Sequence, residues 1–407
     1  MSYLFLLPCY HLLTTISNFN KVKQFKVIYI VIIALIITSC KEPYAPNLTK
    51  TNNNLLVIEG FINTGADSTL INLSKTVLVD NKNTASPELN ATVTVESDAN
   101  NTYLLKDIGK GLYVSAGLNL DNSKKYRLRI KTSKGTVYIS DFVEPKVAPP
   151  IDDVVWDIKD DGVQIYVNTH DNTNNSKYYR WEYNDTWEFQ AEYYSMYISN
   201  GKDVVDRNQL TDNIFTCWAG GKSSNVLIGS SIKSEKDIIH KSPLTFIPTD
   251  AEKISVKYSI LVKQMVLTKD AYDFWERLKK NTENLGSIFD AQPSQLTGNV
   301  HNAADLSEPV IGYIGAGTTQ TKRIFIAKNK LPSWTRKYPY ACYPLDSIFI
   351  ISPKTGSRDE DKFFHTKIMV PIEEIKINNV IVAHKGTTKE CGDCTIRGVN
   401  KRPTFWD

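Results

Sequence analysis

The sequence is short of net charge, of cysteine and of long hydrophobic segments. Its 407 residues carry 48 Lys and Arg against 44 Asp and Glu. This near balance gives no reason to expect a nucleic acid or an anionic membrane surface as a partner. No apolar run reaches the roughly 20 residues that a membrane-spanning helix needs. The composition is that of a globular protein that can bury a sizeable core in about two or three domains.

Signatures of catalysis and of nucleotide binding are also missing. The sequence contains no nucleophile elbow and no H-E-x-x-H zinc motif. The glycine-rich stretch at residues 312–317, GYIGAG, lacks the G-x-G-x-x-G spacing of a dinucleotide site. The histidines are scattered and form no metal-ligand pattern. We therefore expect no cofactor and no metal, and we assign no catalytic residue.

The N-terminal segment predicts export and lipidation. Three lysines precede an apolar run at residues 27–37, and this run is followed by Thr-Ser-Cys. A basic segment before a short apolar run is typical of a signal peptide. Small residues directly before a cysteine resemble the lipobox of bacterial lipoproteins, in which the cysteine thiol is acylated. We predict a signal peptide over residues 1–39, lipidation at Cys40 and a tether over residues 40–54. The alternative is an uncleaved N-terminal membrane anchor.

The residues after the lipidation site bear on the final location. Lys41 follows Cys40 where an aspartate would retain a lipoprotein at the inner membrane. The sequence CKEP resembles a short charged signal that exports some lipoproteins to the cell surface. We therefore expect a protein anchored by lipid in the outer membrane and exposed at the cell surface.

Four further cysteines follow Cys40 in the sequence: Cys217, Cys342, Cys391 and Cys394. An even number of cysteines in an exported protein indicates two disulfides, and three connectivities are open. The last two form a C-x-x-C, which also occurs in redox dithiols and in zinc sites. Because a loop-like stretch follows this motif instead of the helix of a thioredoxin-like unit, we favour structural disulfides.

Alternating apolar residues predict a mainly β protein with two β-sandwich-like domains. Residues 55–147 read as short strands, and in one of them Tyr126, Leu128 and Ile130 share a face. This pattern favours an immunoglobulin-like or transthyretin-like sandwich. The proline-rich stretch EPKVAPP then ends the domain. A larger β-rich domain over residues 151–407 begins with a hairpin that resembles a fibronectin-III module.

One amphipathic helix elaborates the second domain, near residues 268–285. Thr268 is suited to cap its N-terminus. Apolar residues at four-three spacing predict the face that packs on a sheet: Ala271, Trp275, Leu278, Thr282 and Leu285.

Aromatic residues crowd the segment from 178 to 197, which holds nine of them. Exposed tyrosine and tryptophan rings can stack on sugars, so Trp181, Tyr183 and Trp187 are candidates for contact with a ligand. Alternating aromatic residues on strands more often pack in the core and against neighbouring strands. We favour packing and keep stacking as the alternative.

Several segments together resemble a known family. They are LVIEGFIN at residues 56–63, the block at residues 254–301, EPVIGYIGAG at 308–317 and the C-terminal CGDCTIRGVNKRPTFWD. They are similar to domain of unknown function 4249, a family of bacterial outer-membrane lipoproteins without an assigned activity. Relatives often carry two more cysteines, near the positions of Gly392 and Asn302, and the loss of both suits one missing disulfide.

The resemblance implies a role beside a transporter, because such proteins are typically encoded near TonB-dependent outer-membrane receptors. Our first hypothesis is a non-enzymatic binding or accessory subunit for such a receptor. The second is a surface hydrolase of glycans or peptides, which predicts a deep pocket with convergent carboxylates or histidines. The third is a structural surface protein without a ligand.

Overall fold

A computed structural model describes residues 55–77, 86–283, 298–335, 341–342 and 345–406. From residue 53 onward the chain forms one compact unit. The predicted signal peptide, the lipidation site at Cys40 and the tether lie outside the described residues.

The protein is mainly β, as predicted. The first strands are β1 (Leu56–Asn63), β2 (Thr69–Lys75), β3 (Ser86–Pro87), β4 (Thr92–Ser97), β5 (Thr102–Asp107), β6 (Leu112–Ser115), β7 (Tyr126–Lys131) and β8 (Val137–Ser140). The central strands are β9 (Ile151–Lys159), β10 (Gly162–His170), β11 (Tyr178–Gln190), β12 (Tyr197–Ser199), β13 (Val204–Asp206), β14 (Thr216–Lys222), β15 (Leu227–Ser230), β16 (Ile238–Pro248) and β17 (Lys257–Val266).

Helix α1 (Lys269–Glu283) separates these strands from the C-terminal part. The remaining elements are β18 (Val300–Asn302), β19 (Gly315–Gly317), β20 (Thr319–Ala327), β21 (Asp346–Phe349), β22 (Met369–Ile377), β23 (Val380–Thr388) and the short helix α2 (Lys389–Gly392). Short helical turns occupy Glu252–Ile254, Lys328–Lys330, Asp361–His365 and Cys394–Ile396.

The first sheet is completed by residues from far along the chain. Its strand order is β18-β8-β7-β4-β5-β6-β2-β1-β19, with β3 paired to β2. Strand β18 is antiparallel to β8, and β19 is parallel to β1, so both end strands come from residues 300–317. The domain boundary predicted between residues 147 and 151 stays a prediction. The first sheet is not built from residues before this boundary alone, because β18 and β19 also belong to it.

The core of the first sheet follows from the alternation in the sequence. Tyr126, Leu128 and Ile130 are buried to 2% exposure or less, which confirms that they share an inward face. The same core takes up Val300 and Ile314 from the later segment. Burial of such apolar side chains stabilises by about 1.5–3 kcal/mol each.

Two further sheets share a second core. One has the order β16-β10-β9, and the other has the order β14-β11-β17-β20 with β15 paired to β11. Val163 and Ile165 of β10 meet Tyr258 and Ile260 of β17 in this core, and all four are fully buried. The predicted hairpin at the start of this region is present, because β9 and β10 pair from Lys159 and Gly162 at the turn.

Helix α1 begins one residue after its predicted cap. The hydroxyl oxygen of Thr268 accepts a hydrogen bond from the amide of Ala271 at 3.2 Å. The predicted face needs correction, because Ala271 and Phe274 are buried whereas Thr282 is exposed. The two buried residues of the helix lie in its first two turns, and the ring centroids of Phe274 and Tyr313 are 5.6 Å apart. Leu285, the last residue of the predicted face, lies outside the described residues.

The two cysteines of the C-x-x-C take different partners. Cys391 lies at bonding distance from Cys342, and Cys394 lies at bonding distance from Cys217 of β14, with Cα–Cα distances of 5.7 Å in both pairs. The predicted two disulfides are thus compatible with the fold. They connect the C-terminal segment to earlier parts of the chain, with sequence separations of 49 and 177 residues.

Candidate functional site

A charged open groove lies where β11 passes beneath helix α1. Its volume is about 370 Å³. We call it the β11–α1 groove. It is lined by Glu59, Arg180, Glu182, Tyr183, Asn184, Lys222, Ser223, Ser224, Asn225, Val226, Lys263, Trp275 and Leu278.

Arg180 is the fixed cation of the groove. Its guanidinium stacks on the ring of Trp275 at 3.7 Å, and one nitrogen lies 2.7 Å from the carboxylate of Glu182. The side chain is only 16% exposed. Burial lowers the pKa of Arg180, and the carboxylates of Glu182 and Glu59 oppose that effect. Stacking and one ion pair therefore hold the guanidinium in a single orientation, and among the described residues its other N–H groups have no further hydrogen-bond acceptor.

Strand register brings two lysines to the same groove. Lys263 of β17 lies opposite Glu182, and Lys222 of β14 lies opposite Asn184. Lys222 is exposed and Lys263 is half-buried. Within the part of the chain that the structure describes, neither ammonium has a carboxylate within ion-pair distance. Both charges are therefore free to meet a ligand.

A loop closes one side of the groove and is fastened at two points. The amide of Ser223 donates to the carbonyl of Tyr183 at 2.9 Å, and the amide of Tyr183 donates to the hydroxyl of Ser223 at 3.1 Å. The amide of Val226 donates to the carboxylate of Glu283 in helix α1 at 3.2 Å. These bonds position Ser224 and Asn225 at the rim.

The first sheet contributes one carboxylate to the groove. Glu59 of β1 is exposed and accepts a hydrogen bond from the amide of Asn72 at 2.9 Å. The groove is thus lined by residues from the first sheet and from a sheet of the second core. It contains three cations and two carboxylates, which leaves an excess of one positive charge.

The three predicted stacking residues differ in how far they are exposed. Trp181 is 1% exposed and its indole N–H donates to Gln264 at 2.8 Å, so its faces are covered and it cannot stack on a ligand. Tyr183 and Trp187 are half-buried and pack against the second core. Trp187 lies under the ammonium of Lys253 at 4.8 Å. The structure brings only Tyr183 to the groove lining.

A second cleft, of about 610 Å³, lies at the proline-rich connection. There the Nδ1 of His170 lies 2.8 Å from the carboxylate of Asp152. The hydrogen bond that His170 donates to the carboxylate of Asp152 raises the pKa of His170. Asp171, also in this cleft, accepts backbone and hydroxyl donors of Thr173. These contacts satisfy a turn, and we assign no chemistry to them.

Neither a metal centre nor a spanning helix is found in the described ranges. No group of three or more His, Cys, Asp or Glu there is placed to hold a metal ion. No helix in the same ranges has the length and apolar character to cross a membrane.

The family model of a domain of unknown function, DUF4249, matches residues 41–323. The chain belongs to the DUF4249 family. The resemblance noted in the sequence is thereby confirmed, and the matched range includes every residue of the β11–α1 groove in this DUF4249 protein.

Other comparisons add no functional information. No curated protein matches the sequence of this DUF4249 protein. Among solved structures, chitinase ChiA74 from Bacillus thuringiensis is similar at 8% identity with a TM-score of 0.13. The match covers 45% of this chain and 30% of the chitinase chain. A likeness this low carries no argument about the fold or the activity of the DUF4249 protein.

The sequence pattern did not reveal the charged residues of the groove. The ligand contacts predicted on β11 were aromatic residues of one face of the strand, whereas Arg180 and Glu182 lie on the other face. A signal was present, because an arginine and a glutamate two positions apart on a strand share a face. Their distance from Lys222 and Trp275 in the sequence hid the cluster.

Proposed function

We propose that this DUF4249 protein is a non-enzymatic binding or accessory subunit for a TonB-dependent nutrient receptor. It is anchored by lipid at Cys40 in the outer membrane and faces the cell surface. Its globular part consists of two β-sandwich-like modules. The location and the partner rest on the N-terminal sequence and on the family resemblance.

The observation that supports binding is the β11–α1 groove. It is open, it holds a guanidinium already oriented by Trp275 and Glu182, and it presents two lysines without carboxylate partners in the described ranges. Polar and charged groups that converge on a concave surface can fix the orientation of a bound ligand. Residues of the first sheet and of the second core's sheets both line the groove.

The proposal is tested by purification of the tagged full-length protein from outer membranes in mild detergent. We expect a TonB-dependent receptor to co-purify. The matched control is Cys40→Ala, which removes the thiol that carries the lipid and should abolish recovery of the protein with the outer membrane. Failure to recover any such receptor with the lipidated protein would remove the partner from the proposal.

The same preparation separates binding from hydrolysis. When the purified protein is incubated with glycans or peptides, we expect these molecules to remain uncleaved, whether or not they bind. Sustained turnover that survives purification to homogeneity would favour the alternative of a surface hydrolase.

A further inference from the structure

We propose that the β11–α1 groove binds a small hydroxylated molecule that carries one carboxylate, such as a sugar acid. This inference names the ligand class and rests on the proposed binding role. It follows from the placement of Arg180, from the two lysines that have no carboxylate partner in the described ranges, and from the two carboxylates that share the groove.

Arg180 supplies the anion contact. Its guanidinium is held by Trp275 at 3.7 Å and by Glu182 at 2.7 Å, and that single ion pair leaves further N–H donors. A planar guanidinium with two parallel free donors matches the two oxygens of a carboxylate. Because the side chain is already fixed and largely desolvated, little conformational entropy is lost when a ligand binds.

Two lysines add charge without fixing orientation. Lys263 and Lys222 lie on strands to either side of β11. Lysine ammoniums are flexible point charges, and they attract an anion from several directions. The two lysines therefore explain why the groove prefers an anion, whereas Arg180 determines how the carboxylate of the ligand is oriented.

The carboxylates of Glu59 and Glu182 limit the charge of the ligand. Both line the groove together with the three cations, so the net excess is one positive charge. A dianion such as a phosphate monoester would meet repulsion from these carboxylates, and like charges brought together in this way oppose binding. A monoanion matches the excess.

The remaining polar groups favour hydroxyls on the ligand. Asn184, Ser224 and Asn225 offer amide and hydroxyl groups that both donate and accept. The carboxylate of Glu59 accepts hydrogen bonds from hydroxyls. The volume of about 370 Å³ falls within the range of small-molecule sites.

The test is calorimetric titration of the exported full-length protein in detergent at low salt. The probes are D-glucuronate, D-glucose and D-glucose 6-phosphate, which share a ring and differ in charge. We expect glucuronate to bind at least about tenfold more tightly than either of the others, because a buried carboxylate–guanidinium contact has the strength of a charge-assisted hydrogen bond.

Variants locate the binding. Lys263→Met and Arg180→Lys should each weaken glucuronate binding by about tenfold, the second because lysine lacks the planar fork of arginine. Lys134→Met is the matched control, since Lys134 is an exposed lysine in a turn of the first module, and it should bind like the unmodified protein. Thermal unfolding of each variant checks the fold, and Lys263→Met keeps the test valid if Arg180→Lys is unstable.

Several results would overturn the inference. Glucose or glucose 6-phosphate binding as tightly as glucuronate would contradict the single-carboxylate preference. Absence of measurable glucuronate binding to the folded protein, or unchanged binding by Lys263→Met, would remove the site. Recovery of a receptor in the co-purification leaves the proposed function standing in each of these cases, so the two failures are distinguishable.

Discussion

Gln264 is a fully buried polar side chain that joins three parts of the DUF4249 chain. Its amide oxygen accepts from the indole of Trp181 at 2.8 Å. Its amide nitrogen donates to the carbonyl of Pro149 at 2.8 Å and to the hydroxyl of Thr169 at 3.0 Å. One residue thus fixes the proline-rich connection against both sheets of the second core.

Loss of this amide should destabilise the protein strongly. Gln264→Leu leaves the buried indole N–H of Trp181 without this acceptor, and an unsatisfied buried group costs about 1–3 kcal/mol. The half-buried carbonyl of Pro149 also loses its donor. We expect the free energy of unfolding to fall by about 2–4 kcal/mol in a denaturant titration. The control is Gln320→Leu, at the half-buried position opposite Gln264 on β20. Equal effects of the two substitutions would contradict the account.

His170 makes a contribution to the stability of the fold that depends on pH. Its hydrogen bond with Asp152 raises the pKa of His170 above 6.5. Because the folded-state pKa is raised, the stabilisation is fully present below the unfolded pKa and is lost as the pH rises through the folded value. Titration by NMR should show the raised pKa of His170 in the unmodified protein and a lower one in Asp152→Asn. The neighbouring substitution Asp153→Asn should leave the pKa of His170 nearly unchanged.

At the scale of elements, local patterns predicted the strands and the helix, whereas contacts between distant segments were not predictable. The alternation of apolar residues predicted β7, and the capping residue Thr268 predicted the start of α1. Both patterns are local, because each involves only residues close together in the sequence. Disulfide connectivity stayed open because spacing alone does not decide it. The charged face of β11 was not predicted either, because the residues that surround it come from β14, β17 and α1, which are distant in the sequence.

The C-terminal segment depends on its two disulfides. The Cys217–Cys394 bond closes the longer loop, and nearby Trp406 donates its indole N–H to Glu188 at 3.0 Å. We expect Cys217→Ser with Cys394→Ser to lower the free energy of unfolding by about 2–5 kcal/mol. Mass spectrometry of non-reduced peptides should find Cys391 and Cys394 joined to different upstream peptides. A Cys391–Cys394 bond, or free thiols in exported protein, would contradict the fold of this segment.

For the molecule as a whole, the segment from 298 to 317 links the two halves of the described chain, which are the first sheet and the sheets of the second core. Its strands β18 and β19 complete the first sheet, and the next strand, β20, belongs to the second core. The amide of Ile58 donates to the carbonyl of Ile311 at 2.8 Å, and the amide of Ile311 donates to the carbonyl of Leu56 at 3.0 Å. Gly312 follows with a φ of +141°, and a Cβ there would lie 2.2 Å from the carbonyl oxygen of Ile58. Only glycine allows this close approach.

Gly312→Ala should therefore loosen the junction between the halves. We expect the free energy of unfolding to fall by about 2–3 kcal/mol more than in Gly135→Ala, because overpacking adds to the backbone strain. Gly135 is a matched control, since its φ of +88° is also positive but nothing lies within 4 Å of its Cβ position. Thermal unfolding of both variants measures the difference, and equal losses would show that the close approach is unimportant.

Metabolic labelling with palmitate tests the proposed location and role most directly. We expect that the full-length protein incorporates the label, that Cys40→Ala does not, and that the labelled protein fractionates with the outer membrane. An unlabelled protein recovered from the cytosol would contradict the tether, the oxidised cysteines and the proposed receptor together.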